Sequence, residues 1–151
     1  HIVADICELL RVPFAVAQEI KNRAILAGRP SELEQITVDV DGKKYTVDSL
    51  AVYEIVERKV RQIAKMIVKS LDTCTYERPE KIRINLTGGG ISYIKGIREK
   101  LFEILGKAVT IREPKIPLMN EPKQSAVLGL LDMALKQNQA NSSFFNKIFK
   151  K

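Results

Sequence analysis

The stretch Leu86-Thr87-Gly88-Gly89-Gly90-Ile91 follows a short alternating run, Ile82, Ile84 and Leu86 with Arg83 and Asn85 between them. It precedes a helical pattern of Ile94, Ile97, Leu101, Phe102, Ile104 and Leu105. Strand, three glycines, helix is an arrangement in which backbone N–H groups at a helix N-terminus can approach a phosphate or lie flat against a base or sugar, because no Cβ intervenes. The stretch has neither the Lys-Ser/Thr of a P-loop nor the spacing of the dinucleotide fingerprint. The same residues also fit a plain tight turn, so the rest of the chain has to distinguish a nucleotide contact from a turn.

Upstream, Ile2, Val3, Ile6, Leu9 and Leu10 have the spacing of a core-facing helix over residues 2–11. Pro13 opens a second helix to about Leu26, with Ala17, Ile20 and Ala24 on one side, and Gly28-Arg29-Pro30-Ser31 ends it. Two alternating runs, 36–40 and 43–47, flank Asp41-Gly42, a strong short-range hairpin signal. Asp48 or Ser49 then caps a long helix to about Leu71, its apolar stripe being Val52, Ile55, Val56, Val60, Ile63, Ile67 and Leu71. Thr73 to Pro79 reads as a turn. Downstream, Gly106 stops the glycine-led helix, Val109-Thr110-Ile111 is a short strand, and Pro114, Pro117 and Pro122 mark an extended connection. Residues 124–136 are helical, 137–143 lack periodicity and read as a linker, and 144–151 form a tail. The order of elements predicts an α/β fold, with residues 27–71, the hairpin plus long helix, as an inserted lobe.

The 151 residues, 45% hydrophobic and 28% charged, predict a globular domain with one core. The chain does not begin with Met and opens in mid-helix, so a fragment of a longer protein is expected. Cys7 and Cys74 sit in unrelated contexts without metal-ligand spacing and are expected to be free thiols in a reducing cytosol. No apolar run approaches the roughly 20 residues that span a bilayer, and no signal peptide is visible. The formal net charge of +7 raises a nucleic-acid role, but most basic residues alternate with acids along helices, as solvated faces do. That role is therefore the least supported.

The C-terminal stretch Phe144-Phe145-Asn146-Lys147-Ile148-Phe149-Lys150-Lys151 places its three Phe and one Ile on one side of a helical wheel and its lysines on the other. A terminal helix docked on its own core fits the apolar side. Three lysines without an acid fit an anionic surface better. Four buried apolar side chains contribute about 1.5 to 3 kcal/mol each and each lysine about 1 kcal/mol near anionic lipid. Ordering the backbone costs about 1 to 2 kcal/mol per residue. These nearly cancel, so a single copy should bind marginally and stable attachment should need several copies held together.

Taken together, these residues resemble the C-terminal half of FtsA, a bacterial cell-division ATPase family of the actin and heat-shock-chaperone superfamily. His1-Ile2-Val3-Ala4-Asp5-Ile6 is similar to that family's H-I-T-x-D-I helix, Ala17-Gln18-Glu19-Ile20-Lys21 to its A-E-E-I-K helix, Leu86 to Ile91 with Gly96 to its adenosine motif, and Ser125-Ala126-Val127-Leu128-Gly129-Leu130 to its final helix. A linker and an amphipathic membrane-targeting tail finish FtsA proteins too.

The resemblance implies an actin-like ATPase (ribonuclease H-like) half-domain built from residues 1–26 and 72–136, with the lobe at 27–71, the linker at 137–143 and the amphipathic helix at 144–151. It implies ATP as cofactor, with Thr87, Gly88, Gly89, Gly90 and Ile91 at the base and Gln18 and Lys21 reaching the ribose or adenine. Gln18 stands where the family usually has Glu, so that contact should be weaker. Solvent exposure on a helix face is the ordinary alternative for both residues. By the same resemblance the phosphate loops, the Mg-holding groups and the catalytic carboxylates precede His1, so this chain alone should not hydrolyse ATP, and the whole protein at most weakly.

The lobe resembles the subdomain that receives the C-terminal peptide of the tubulin-like protein FtsZ, which implies Arg58, Lys59, Arg61 and Lys65 as partner contacts. Pairing with Glu54 and Glu57 at helical spacing is the alternative. Phe144, Phe145, Lys147, Ile148, Phe149, Lys150 and Lys151 would hold the membrane, at the cytoplasmic face of the division site, and self-association into filaments would supply the copies. Two other classes fit parts of the pattern: an actin-like adaptor of pilus assembly, and a true ATPase such as a chaperone or sugar kinase.

Overall fold

The computed structural model describes residues 2–75, 82–116 and 119–149, and for 138–149 the backbone alone. Helix α1 (Ile2–Leu10) is followed by α2 (Phe14–Arg23), the strands β1 (Gln35–Val40) and β2 (Lys43–Asp48), and the long helix α3 (Ser49–Asp72). The second half is β3 (Ile84–Leu86), α4 (Ile97–Leu105), β4 (Val109–Ile111), a 3-10 turn at Pro122–Gln124 and α5 (Ser125–Phe149).

Local chemistry explains the first half. Asp41 and Gly42 both have positive φ, 54° and 73°, the conformation that a two-residue turn needs to follow the right-handed strand twist. The turn sets an antiparallel register in which Val38 faces Tyr45 and Ile36 faces Val47. These apolar residues point inward and Val38 is buried, while Thr37 and Thr46 share a 3.1 Å hydroxyl bond on the outer face. Asp48 caps α3 by accepting from the Leu50 N–H at 2.8 Å. From there α3 buries Val52, Tyr53, Ile55, Val56, Val60 and Ala64 against α1, α2, α4 and β1. Ion pairs fasten it to two neighbouring helices: Lys59 to Asp5 of α1 at 2.7 Å and Lys100 of α4 to Glu57 at 3.2 Å.

In the second half β3 and β4 pair in parallel, Ile84 opposite Val109 and Leu86 opposite Ile111, with α4 as the crossover. The core joins both halves: Ile6, Ile20, Val38, Val56, Val60, Ile97 and Leu101 lie in one cluster.

Three boundaries differ from the sequence expectation. Helix α2 ends at Arg23 rather than Leu26, because Ile25 bridges to Lys95 and the Leu26 N–H donates to the Lys95 carbonyl at 2.7 Å. Helix α4 starts at Ile97 rather than Ile94, after a run of turns over 88–96. The stretch expected as a linker, 137–143, is helical and continues α5 without a break. It contains no Pro or Gly, and extending an existing helix needs no new nucleus. The helix therefore covers 144–149. The side chains of Phe144, Phe145, Lys147, Ile148 and Phe149, and all of Lys150 and Lys151, lie outside the described residues. No helix among those described is long and apolar enough to cross a membrane.

Candidate functional site

Lys21 lies on the apolar side of α2, next to Ala17 and Ile20, and is only 9% exposed. A lysine ammonium this enclosed needs an acceptor. It finds one across 68 residues of sequence, donating from Nζ to the Gly89 carbonyl at 3.2 Å. The A-Q-E-I-K helix and the glycine stretch, expected to share a ligand, thus touch. Gln18 is exposed on α2, one turn before Lys21.

The glycine turn is also gripped by the chain that leads into α5. The Thr87 hydroxyl donates to the Arg112 carbonyl at 2.9 Å and lies 2.6 Å from the Ser125 hydroxyl. The Gly88 N–H donates to the Pro122 carbonyl at 3.0 Å. Gly88 has φ 90°, a conformation that favours glycine. A Cβ on Gly89 would come within 2.9 Å of the Lys123 Cβ, so glycine is needed there for the close approach. A Cβ on Gly90 would meet nothing within 4 Å. Gly90 is exposed, and it is where a flat ring could lie on bare backbone. Ile91 is buried and joins the core. Gly90 and Ile91 with Ile2, Lys59, Gln62, Ile63 and Met66 line a cavity of about 390 Å³.

The sequence pattern places the glycines at a helix N-terminus, and here the structure corrects it. Six residues, 91–96, separate Gly90 from Ile97, and the N-cap of α4 is Gly96, with φ 82°. Gly96 serves packing: a Cβ would sit 2.4 Å from the Ala27 N and 2.8 Å from the Ala27 Cα. The three-glycine stretch cannot borrow the α4 dipole, because that field fades within the first turn of a helix.

Tyr93, Glu121 and Lys123 are neighbours of the turn that the sequence did not single out. The Tyr93 hydroxyl donates to Glu121 at 3.4 Å, and Lys123 pairs with Glu121 at 2.6 Å. That pairing holds the Glu121 carboxyl below, and the Lys123 ammonium above, their ordinary ranges. The prolines at 114, 117 and 122 read only as an extended connection and gave no sign that Glu121 and Lys123 meet the turn.

The four basic residues of α3 separate. Arg58, Arg61 and Lys65 are exposed, and their spacing of three and four residues puts them on one side of the helix. Lys59 is turned toward α1 and held by Asp5, both side chains being 23% exposed. Arg61 pairs with Glu57 at 2.8 Å. Burial pushes the Glu57 carboxyl up, but its hydrogen bonds from Arg61 and Lys100 outweigh this and leave it lowered. Burial likewise pulls Lys100 down, and its bonds to Glu103, Tyr53 and Glu57 reverse that and hold it well above the ordinary lysine value.

The chain is similar to MreB5 of Spiroplasma citri bound to AMPPNP, with a TM-score of 0.63 and 19% identity over 94% of this chain and 45% of that one. MreB5 bound to ADP gives a TM-score of 0.62 at 16% identity, covering 93% and 46%. A non-polymerising mutant of MamK bound to AMPPNP gives 0.51 at 22% identity, covering 84% and 41%. The likeness shows that this chain shares their fold, an actin-like one, and the chain spans under half the length of each. No protein-family model matches the sequence, and no curated protein does.

Proposed function

We propose that this chain is the nucleotide-binding C-terminal half of an FtsA-like protein that tethers FtsZ filaments to the cytoplasmic membrane. The observation that carries the reading is the Lys21 to Gly89 hydrogen bond of 3.2 Å, because it joins the two motifs from which the resemblance expects an adenosine site. The three nucleotide-bound structures with the same fold support a nucleotide as the ligand class. ATP lies against Thr87 to Gly90, with Lys21 and Gln18 toward the ribose or adenine. The hairpin and α3 form the lobe that receives the acidic FtsZ peptide, on Arg58, Arg61 and Lys65. The end of α5 meets anionic lipid at the division site, and filament formation supplies the several copies that attachment needs.

Calorimetric titration with AMPPNP tests the nucleotide site. Binding should weaken about tenfold or more in Lys21→Ala, the worth of one hydrogen bond from a charged donor. Equal affinity in the two proteins would remove Lys21 from the site. Co-sedimentation with vesicles of graded anionic lipid content, comparing this chain with one ending at Ala140, tests the tether. Binding should rise with anionic lipid, fall with salt and vanish on truncation. A clustered chain that fails to bind in either form would refute it.

A further inference from the structure

We propose that the glycine turn is the seat of α5, so that a ligand occupying the turn changes the direction in which α5 leaves the domain. This rests on the nucleotide reading for the identity of the ligand, and on geometry for the coupling. Three successive residues of the turn hold the start of α5. The Thr87 hydroxyl has one proton, and the Arg112 carbonyl, 2.9 Å away, can only accept it. The Ser125 hydroxyl, at 2.6 Å, therefore donates to Thr87, which fixes the polarity of the bridge. Gly88 holds Pro122 through its N–H, and Gly89 packs directly under Lys123. A reciprocal cap between Glu121 and Gln124 stiffens the same segment, and the Tyr93 hydroxyl bonds to Glu121.

Among the side chains described beyond this root, Val127, Leu130, Leu131, Met133 and Leu135 are each more than half exposed, so over these residues the helix stands off this chain's core and its contacts concentrate where it begins. Lys21 also grips Gly89, through its carbonyl. A ligand that takes Lys21 for itself, or lies on Gly90, releases or displaces the residue on which Lys123 rests. The turn has room to respond, because nothing outside the adjoining residues lies within 4 Å of a Cβ position on Gly88 or Gly90. Helix α5 is continuous to Phe149, so a change at its root reaches residues 144–149 without a joint to absorb it.

Nitroxide labels report the direction of α5. They are placed at Lys65→Cys on α3 and Gln137→Cys on α5, in a chain with Cys7→Ser and Cys74→Ser, and their separation is measured by pulsed electron resonance. Ser125 and Gln137 are about 18 Å apart along the helix, so a tilt of about 15° moves the second label by about 5 Å. AMPPNP should shift the distance by that order. Ser125→Ala should bind AMPPNP within about twofold of the parent, since one neutral hydroxyl at a distance is involved, and should lose the shift. Gly89→Ala, which pushes on Lys123, should move the distance with no nucleotide present. If AMPPNP binds and the distance stays fixed, the coupling is wrong and the nucleotide reading survives. If AMPPNP fails to bind and Gly89→Ala still moves α5, the coupling survives and the nucleotide reading is wrong. A distance that responds to neither change overturns the proposal outright.

Discussion

The hairpin turn at Asp41-Gly42 and the glycine turn at Thr87 to Gly96 are both places where glycine permits a backbone that other residues resist, yet their surroundings are opposite. Gly42 has open space around it, and its positive φ is a local requirement of a two-residue turn. Gly89 and Gly96 are pressed against chain far away in sequence, Lys123 for one and Leu26 and Ala27 for the other. A turn of the first kind directs its own strands. A turn of the second kind ties distant elements together, and its shape belongs to them as much as to itself.

Substitutions that add one methyl group separate the two kinds. Gly96→Ala should cost the most, about 3 kcal/mol, since the new Cβ meets backbone that cannot rotate away and the left-handed conformation adds its own penalty. Urea denaturation measures it, and a loss under about 1 kcal/mol would mean that the Leu26 to Ala27 segment yields readily. Gly42→Ala meets no neighbour and should cost only the conformational part, about 1 to 2 kcal/mol, with the strand register unchanged by amide NMR. Asp48→Ala, at the end of the same hairpin, removes one capping bond and should cost about 1 kcal/mol, read as a lower urea midpoint at constant slope.

Acid extends the comparison to long-range pairs. Glu57 titrates below its ordinary value of 4.5 in the folded chain. Its bonds to Lys100 and Arg61 therefore stabilise the fold above that value and are lost as pH falls through the lowered one. The urea midpoint of Glu57→Gln should lie below that of the parent at neutral pH, and the gap should narrow as pH falls through the lowered Glu57 value. Lys123→Ala should have the smallest effect on stability. Its pair with Glu121 is solvent-exposed and the urea midpoint should not move.

Much of the fold was legible because its signals are local. The Asp-Gly pair gave the hairpin and the stripe from Val52 to Leu71 gave α3. Gly106, at φ 62°, ends α4 where expected. Apart from the 137–143 stretch, which simply continues α5, the differences lie where distant chain intervenes. Ile25 and Leu26 carry an apolar spacing that suits a helix, but Lys95 draws them into extended pairing. Lys59 and Arg58 are adjacent cations in sequence, and only the position of α1 makes Lys59 a structural residue, bound to Asp5. Tyr93 and Glu121 carried no signal at all, since a tyrosine and a glutamate 28 residues apart become neighbours only when the 3-10 turn folds onto the glycines.

For the candidate site the division is similar. The sequence by itself determined the presence of a glycine-rich strand exit and of the A-Q-E-I-K helix, because residue type and spacing fix backbone freedom and helix facing. Only the tertiary structure decided that Lys21 meets Gly89, that Gly90 is open while Gly89 is covered, and that the root of α5 rests on the same turn. The physical reason is range. Turn and helix propensities act over a few residues, whereas a hydrogen bond across 68 residues exists only after burial of the shared core has brought its ends together.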